Sequence, residues 1–220
     1  MLNIFKNLYS HTATKEIQTE HVDTISLGPH VVWIHGANQS SNSFNYLRSH
    51  LPNWNCTLVE YSSHNTFYSN LTEILLNVKD QGPLFVVGHS LGGIYGLHLL
   101  KHCDVVGGVS ISTPFRGSSA ADWAKYIIPS YQLFKDVGRK SRPIVEANSI
   151  AVNVPWTQIV STTGGVPYLN GENDGVVTVA SMEHRKDDMD CIRVPHTHYE
   201  VVCSTTVSEI ILNQYKKLSK

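Results

Sequence analysis

The chain has 220 residues, with 17 lysine or arginine residues against 18 aspartate or glutamate residues and a formal net charge of −1. Because only 16% of the residues are charged and the two signs balance, the chain has no strong field for polyanions, and we expect no nucleic-acid partner. A chain of this length can bury roughly 70% of the surface of its unfolded form, so we expect one domain over residues 1–220.

The four cysteines show no C-x-x-C spacing and lie in or beside apolar runs, so we expect small buried core residues rather than ligands or a disulfide framework: Cys56, Cys103, Cys191 and Cys203. No window approaches the ~18 apolar residues of a membrane-spanning helix. The segment Met1–Ser10 has only scattered apolar residues and does not resemble a secretory signal. We therefore expect a soluble, cytoplasmic protein.

After a polar stretch to Pro29, short β-branched runs alternate with longer amphipathic ones. The predicted strands are Val31–Ile34, Thr57–Tyr61, Leu84–Val87, Val105–Ile111, Trp156–Val160 and Cys191–Val194. The predicted helices are Asn42–Leu51, Leu71–Val78, Ser90–His102 and Thr206–Leu218. This alternation is typical of an α/β fold with a mostly parallel sheet and helices on both faces. Because the strand runs are almost continuously apolar, they predict central strands.

The connection from Thr113 to Pro155 is the longest irregular segment, and we expect a small lid-like insertion over residues 113–155. Pro129 divides its apolar residues into two groups that fit two short helices: Trp123, Tyr126, Ile127 and Ile128, then Tyr131, Leu133, Phe134 and Val137. Residues at such spacing either pack on the sheet or line an acyl-binding surface, and the sequence leaves both interpretations open.

The strand-to-helix transition carries the sequence Gly88-His89-Ser90-Leu91-Gly92, which has the pattern G-x-S-x-G. At that position the pattern predicts a nucleophile elbow, a turn so tight that side chains at the two glycines would collide with neighbouring backbone. The turn exposes the Ser90 hydroxyl at the end of the strand, and the N-terminus of the following helix favours negative charge there. We therefore interpret Ser90 as a candidate nucleophile.

A serine hydroxyl attacks at neutral pH only when a base takes its proton, and that base must be held by an acid. In open α/β sheets such groups lie after the carboxyl ends of strands. Asp174 follows the Trp156–Val160 strand in a loop with nearby glycines and is the preferred acid. Glu172, in the same loop, is a weaker alternative. Asp122 lies in the 113–155 connection, and a charged cluster is typical of a solvated surface: Asp187, Asp188 and Asp190.

Of the twelve histidines, three follow the candidate acid: His184, His196 and His198. His198 stands nearest the start of the final helix, where a short loop can direct its ring to Ser90, so we prefer it as the base and keep His196 as the alternative. The pair His196 and His198 also fits a metal-binding H-x-H, but no further ligand stands at suitable spacing. We expect His89 to pack or bond beside the nucleophile and His35 to stabilise its own loop.

Acyl transfer also requires N–H donors for the oxyanion of a tetrahedral intermediate. The backbone N–H of Leu91, directly after the nucleophile, is one expected donor. The second is the N–H of Ala37, in the loop after the first buried strand, where we expect Gly36 to permit the tight turn.

With these residues in place, the chain from Val31 onward resembles the α/β-hydrolase superfamily, whose nucleophile, acid and histidine follow the order Ser90, Asp174, His198. It looks like the lipase and esterase branch that includes inositol-deacylase-like serine hydrolases. Four segments carry that likeness: His35-Gly36, the elbow continued to Gly93, Ser112-Thr113-Pro114-Phe115-Arg116-Gly117-Ser118 and Asn173-Asp174-Gly175-Val176-Val177.

The resemblance implies a serine carboxylester hydrolase that needs no metal and no cofactor and forms an acyl-enzyme on Ser90. The small insertion favours short-chain or water-soluble esters over long-chain fat, and Phe115 stands where that branch often has histidine. We expect a small ester or lipid-like substrate to contact Phe115, Trp123 and Ile127. Two alternatives stay open, acyl transfer or thioester cleavage with the same triad, and a binding module on a hydrolase scaffold.

Overall fold

The computed structural model describes residues 28–117, 136–167 and 169–218. Six strands form one sheet in which every neighbouring pair is parallel, in the order β2-β1-β3-β4-β5-β6. Their bounds are β1 His30–Ile34, β2 Cys56–Val59, β3 Leu84–His89, β4 Val105–Ile111, β5 Trp156–Ser161 and β6 Asp190–Val194. The predicted α/β fold with a parallel sheet is confirmed, and the carboxyl ends of all six strands lie at one edge.

The described α-helices are α1 Asn45–Ser49, α2 Phe67–Val78, α3 Leu91–Leu99, α4 Arg142–Ser149, α5 Val179–Met182 and α6 Thr205–Lys216. Short 3-10 turns occupy Ser41–Phe44, Glu183–Arg185 and Glu200–Cys203. The helix predicted at Asn42–Leu51 is thus a 3-10 turn followed by a short α-helix. The serine-rich start explains the difference, because the Ser43 hydroxyl donates to the Ser40 carbonyl and competes with a regular helical turn.

Helices cover both faces of the sheet because alternate strand residues point to opposite sides. On one side Val32, Ile34 and Val86 pack with apolar residues of α2, α3 and α4. On the other side Val31, Trp33 and Phe85 pack with residues of α1 and α6. The central strands are therefore buried on both faces, which explains their continuous apolar runs.

The prediction that all strands are central is wrong for β2 and β6, which form the two edges of the sheet. In β6, Val194 is buried, whereas Ile192 and Arg193 are exposed. A run this short, with one charged residue among its four, does not by itself distinguish an edge strand from a central one. The burial of the cysteines also differs from expectation. All four are free, and Cys203 is exposed while the other three are half-buried.

Only part of the 113–155 connection falls within the described residues. There α4 begins after Ser141 with Pro143 in its first turn and buries Ile144 and Ala147 against the core. Proline near a helix start is a recognised signal that the sequence analysis did not use. Most of the two short helices predicted on either side of Pro129 falls in residues 118–135, outside the described residues. In the part of the chain that the structure describes, no helix has the length and apolar character required to cross a bilayer.

Candidate active site

Ser90 stands between β3 and α3 with backbone angles φ 53° and ψ −120°. A positive φ is uncommon for a residue with a side chain and stores strain on the order of 1–3 kcal/mol. The Ser90 N–H donates to the carbonyl of Ile111 at 2.8 Å, which holds the turn against the end of β4. The half-buried hydroxyl is therefore presented at the carboxyl edge of the sheet rather than along the strand.

The glycines of the elbow are required by close backbone contacts. A Cβ on Gly92 would lie 1.9 Å from the backbone oxygen of Ile34, and a Cβ on Gly88 would lie 2.6 Å from backbone atoms of Gly92. Real Cβ atoms do not approach backbone so closely. The collision predicted from the G-x-S-x-G pattern is thus present, with β1 on one side and the first turn of α3 on the other.

His198 lies in the loop between β6 and the 3-10 turn before α6, and its side chain is buried. Its Nε2 atom is 3.1 Å from Ser90 Oγ, and its Nδ1 atom is 2.7 Å from Asp174 Oδ2. An ionised carboxylate only accepts, so Nδ1–H donates to Asp174 and the Nε2 lone pair accepts the Ser90 hydroxyl proton. This tautomer is the one that a general base for Ser90 requires.

Asp174 is held by a set of donors in the loop after β5. Its Oδ1 accepts the N–H groups of Val176 at 2.9 Å and Val177 at 2.7 Å, and its Oδ2 accepts the Ser161 hydroxyl at 2.5 Å. Burial alone would raise the pKa of this carboxyl, but the His198 ring, the Ser161 hydroxyl and the Val177 N–H favour the charged form. The pKa of Asp174 therefore lies below its ordinary value, and the group is a carboxylate at neutral pH.

The alternative acid and base lie away from Ser90. His196 Nε2 hydrogen-bonds with Ser204 Oγ at 2.9 Å, and the His196 carbonyl accepts the Thr163 N–H. Glu172 is half-exposed and accepts a hydrogen bond from Arg193 at 3.1 Å. His196 and His198 thus have different hydrogen-bond partners, Ser204 for the first and Ser90 and Asp174 for the second. Among the described residues, no group of three or more His, Cys, Asp or Glu is arranged to hold a metal ion.

The loop after β1 brings Ala37 to the same edge of the sheet. Gln39 N–H donates to the Gly36 carbonyl at 3.3 Å and closes a β-turn whose left-handed residue is Asn38, with φ 56°. A Cβ on Gly36 would lie 2.8 Å from Oε1 of Gln39, the last residue of this turn, and 3.1 Å from Ser90 Cβ. Glycine at this position therefore leaves room both for the Gln39 side chain and for the close approach of the loop to Ser90.

The N–H groups of Ala37 and Leu91 have no hydrogen-bond acceptor among the described residues. Both belong to backbone that flanks Ser90, one in the loop after β1 and one in the first turn of α3. Unsatisfied N–H groups beside a nucleophile are what an oxyanion requires, and the helix N-terminus adds favourable charge.

His89 and Gln39 connect this loop to the histidine loop. His89 is fully buried, with Nδ1 at 2.9 Å from Gln39 Oε1 and Nε2 at 3.0 Å from the His198 carbonyl. Burial first, and then the electrostatic interaction with His198, lower the pKa of His89 to about 3. The ring is therefore neutral at pH 7 and carries a single N–H donor. His35 donates through Nδ1–H to the Gly36 carbonyl at 2.7 Å, which agrees with its expected role in the loop.

The three expected substrate-binding residues are not brought together in the described part of the chain. Phe115 is 1% exposed and packs in the hydrophobic core, so it has no free surface for a substrate in this arrangement. Trp123 and Ile127 lie in residues 118–135, outside the described residues. Sequence reasoning also missed Ser161, which the carboxyl-end rule could have found, because it is the last residue of β5.

Solved structures with the same architecture share little sequence with this chain. The mature form of lipase BlEst2 from Bacillus licheniformis has a TM-score of 0.64 at 17% identity, covering 86% of this chain and 92% of that one. A lipase-esterase related protein from Clostridium acetobutylicum has a TM-score of 0.56 at 17% identity, covering 84% and 93%. MenH from S. aureus has a TM-score of 0.55 at 14% identity, covering 87% and 95%. These likenesses concern the fold.

Comparison with curated protein sequences gives no match. A family described as the alpha/beta hydrolase family matches residues 31–188, a span that includes the elbow, the loop after β1 and the Asp174 loop. Together with the parallel six-stranded sheet, this match identifies the chain as a member of the alpha/beta hydrolase family.

Proposed function

We propose that this protein is a serine carboxylester hydrolase of the lipase and esterase branch. The observation that carries the proposal is the continuous hydrogen-bond path from Ser90 through His198 to Asp174, with distances of 3.1 and 2.7 Å. The path begins at a serine held with a positive φ at the end of a strand, next to two N–H groups without acceptors. Acyl transfer needs a nucleophile, a base, an acid and oxyanion donors, and the residues named here can supply all four.

In the proposed reaction, His198 Nε2 takes the Ser90 proton while Oγ attacks the ester carbonyl carbon. The carbonyl oxygen becomes an oxyanion that accepts hydrogen bonds from the N–H groups of Ala37 and Leu91. His198 then gives its proton to the leaving alkoxide, the carbon–oxygen bond breaks, and the acyl group stays on Ser90. Water, deprotonated by the same histidine, releases the acid and restores the hydroxyl.

Asp174 stabilises the imidazolium that forms in each half of this reaction. The carboxylate is buried and lies 2.7 Å from His198 Nδ1, so its charge acts across a region with little solvent screening. Its lowered pKa keeps it ionised over the pH range in which His198 must accept a proton. No metal or cofactor takes part in the proposed steps.

We further propose a single domain with a small lid-like insertion over residues 113–155, and small or short-chain esters as substrates. The insertion is short for a lid that would cover a long acyl chain. Trp123 and Ile127 belong to it and are the proposed substrate contacts, whereas the buried position of Phe115 does not favour such a contact. Hydrolysis of p-nitrophenyl esters of increasing acyl length tests this preference.

The main experiment is labelling with a fluorophosphonate probe, which reacts with an activated serine. We expect the wild-type protein to be labelled at Ser90, and the Ser90→Ala variant to lose labelling and ester hydrolysis together. The matched control is Ser43→Ala, which removes a half-buried hydroxyl that donates to the Ser40 carbonyl. Labelling that persists in Ser90→Ala would show that another residue is the nucleophile.

A further inference from the structure

Two buried hydroxyl groups lie behind the triad acid and take no part in the steps above. Ser161 is the last residue of β5, and Ser112 directly follows β4. Both side chains are 0% exposed, and their Oγ atoms are 2.6 Å apart. Ser161 Oγ is also 2.5 Å from Asp174 Oδ2. The hydrogen-bond path from Ser90 therefore continues beyond the carboxylate into the sheet.

The direction of every hydrogen bond in this path is fixed by the carboxylate. Since ionised Asp174 only accepts, the Ser161 proton is directed to Oδ2. The Ser161 oxygen is then the acceptor for the Ser112 hydroxyl. Oδ2 receives two donors, Ser161 O–H and His198 Nδ1–H, while Oδ1 receives the two N–H groups of the Asp174 loop. The carboxylate is held by donors on both oxygens and cannot rotate without losing several of them.

Ser112 makes its contact from a strained backbone position. Its φ is 52°, in the left-handed region that residues with a side chain rarely adopt. Its N–H nevertheless donates to the Ile159 carbonyl of β5 at 2.8 Å, so the bend occurs while the two strands remain paired. Strain of this kind persists where the surrounding structure fixes it, and it concentrates around functional sites.

We propose that Ser161, with Ser112 as its own donor, is a positioning residue that fixes the Asp174 carboxylate in the orientation that His198 requires. This inference rests on the proposed ester hydrolysis. The Ser161 hydroxyl occupies one lone pair of Oδ2 and leaves another directed at His198 Nδ1–H. The Ser112 hydroxyl prevents Ser161 from turning away, since it occupies the acceptor side of the Ser161 oxygen. A pair of buried hydroxyls with no such role could be replaced by apolar groups at little cost.

The test compares kcat and KM for short p-nitrophenyl esters in Ser161→Ala, Ser112→Ala and a matched control, Ser110→Ala. Ser110 lies on β4, is equally buried, and accepts the Trp156 Nε1–H at 2.8 Å, and within the described residues it makes no hydrogen bond with Ser90, His198 or Asp174. We expect kcat to fall about 10- to 100-fold in Ser161→Ala and less in Ser112→Ala, with KM unchanged, because a hydrogen bond to a charged group is lost. Ser110→Ala should lower stability and leave kcat unchanged.

Rates are normalised to the fraction of molecules that the fluorophosphonate probe labels, so that unfolded protein does not count as slow enzyme. Ser161→Thr, which retains a hydroxyl, should recover most of the lost kcat. A wild-type kcat in both Ser161→Ala and Ser112→Ala, with normal labelling, would overturn the positioning role and leave the proposed function intact. If Ser161→Ala fails to fold, a wild-type kcat in Ser112→Ala alone overturns the positioning role of the hydroxyl pair. A wild-type protein that neither reacts with the probe nor hydrolyses esters would overturn both.

Discussion

His198 is bound to Asp174 twice, once through its backbone N–H to the Asp174 carbonyl at 3.0 Å and once through Nδ1–H to the carboxylate at 2.7 Å. The two loops that carry these residues follow different strands, β5 and β6. The double connection makes them one unit, so the orientation of the imidazole is set by backbone as well as by side chain. A change in the Asp174 side chain should therefore alter the chemistry while leaving the loops in place.

Replacing Asp174 by Asn tests whether the side chain affects the chemistry without disturbing the loops. We expect kcat to fall on the order of 10⁴-fold, because an amide cannot stabilise the imidazolium and can favour the wrong tautomer of His198. Glu172→Gln is the matched control, since Glu172 belongs to the same loop but forms an exposed ion pair with Arg193. Steady-state hydrolysis of a p-nitrophenyl ester measures both. Comparable losses in the two variants would argue against Asp174 as the acid.

The choice between the two neighbouring histidines has a direct test. His198→Ala should lower kcat by about 10⁴- to 10⁶-fold, since no other group reaches Ser90 Oγ as an acceptor in the described part of the chain. His196→Ala should retain activity within about tenfold and lower stability by about 1 kcal/mol, because it loses only the contact with Ser204. The assignment would be reversed if His196→Ala abolished hydrolysis and His198→Ala did not.

Ala37→Pro removes one of the two proposed oxyanion donors without adding a larger polar group. Ala37 is the second residue of the Gly36–Gln39 turn and does not have a positive φ, while Asn38 after it does, which is the pattern of a type II turn. Proline is favoured at that position, so the turn should be retained. We expect kcat to fall about 10²- to 10³-fold with little change in KM. Asn38→Gly, which keeps the Ala37 N–H, is the control and should remain active.

The close contact at the elbow predicts a large effect on stability. Gly92→Ala places a methyl group 1.9 Å from the Ile34 carbonyl oxygen, so β1 and α3 must move apart. We expect unfolding free energy to decrease by more than about 3 kcal/mol. In Gly82→Ala the added Cβ meets no atom within 4 Å and only the positive φ of 80° opposes it, so about 1–2 kcal/mol is expected. Urea unfolding compares the two, and equal losses would contradict the contact argument.

Stability should fall as the solution becomes more acidic than about pH 6.5. An unfolded histidine has a pKa near 6.5, whereas burial lowers that of His89 to about 3, so between these values the unfolded chain binds the extra proton. The free energy of unfolding then decreases with falling pH, by up to about 1.4 kcal/mol per pH unit for His89. Burial also lowers the pKa of His30, His35 and His98, and they act in the same direction.

Urea unfolding at about pH 7, 6 and 5 measures this dependence. The His89→Asn variant lacks the titrating ring and should show a shallower decrease than the wild-type protein, even if it is less stable at every pH. A decrease of the same slope in both proteins would show that His89 does not contribute. The comparison uses slopes rather than absolute stabilities, so the hydrogen bonds lost in the variant do not affect it.

Elements with a strong local signal were predicted closely. The strand at Val105–Ile111 has the predicted bounds, and α6 begins within one residue of its predicted start. The bounds of α2 were less accurate, because the Thr66 cap, which accepts the Ser69 N–H, places the start at Phe67 rather than Leu71. The edge position of β6 could not be predicted, since a strand's place in a sheet depends on which strand it pairs with and not on its own residues.

By itself the sequence determined the elbow and the residue types at the strand ends, because tight turns and acid–base chemistry permit few amino acids at those positions. It named Ser90, Asp174 and His198 from their order and their position after strands. The tertiary structure decided which atoms meet: that His198 rather than His196 lies 3.1 Å from Ser90, that Phe115 is in the core, and that two serines from different strands lie behind Asp174. These relationships join residues 13 to 108 positions apart. Only the pairing of the parallel strands brings such residues to one edge of the sheet.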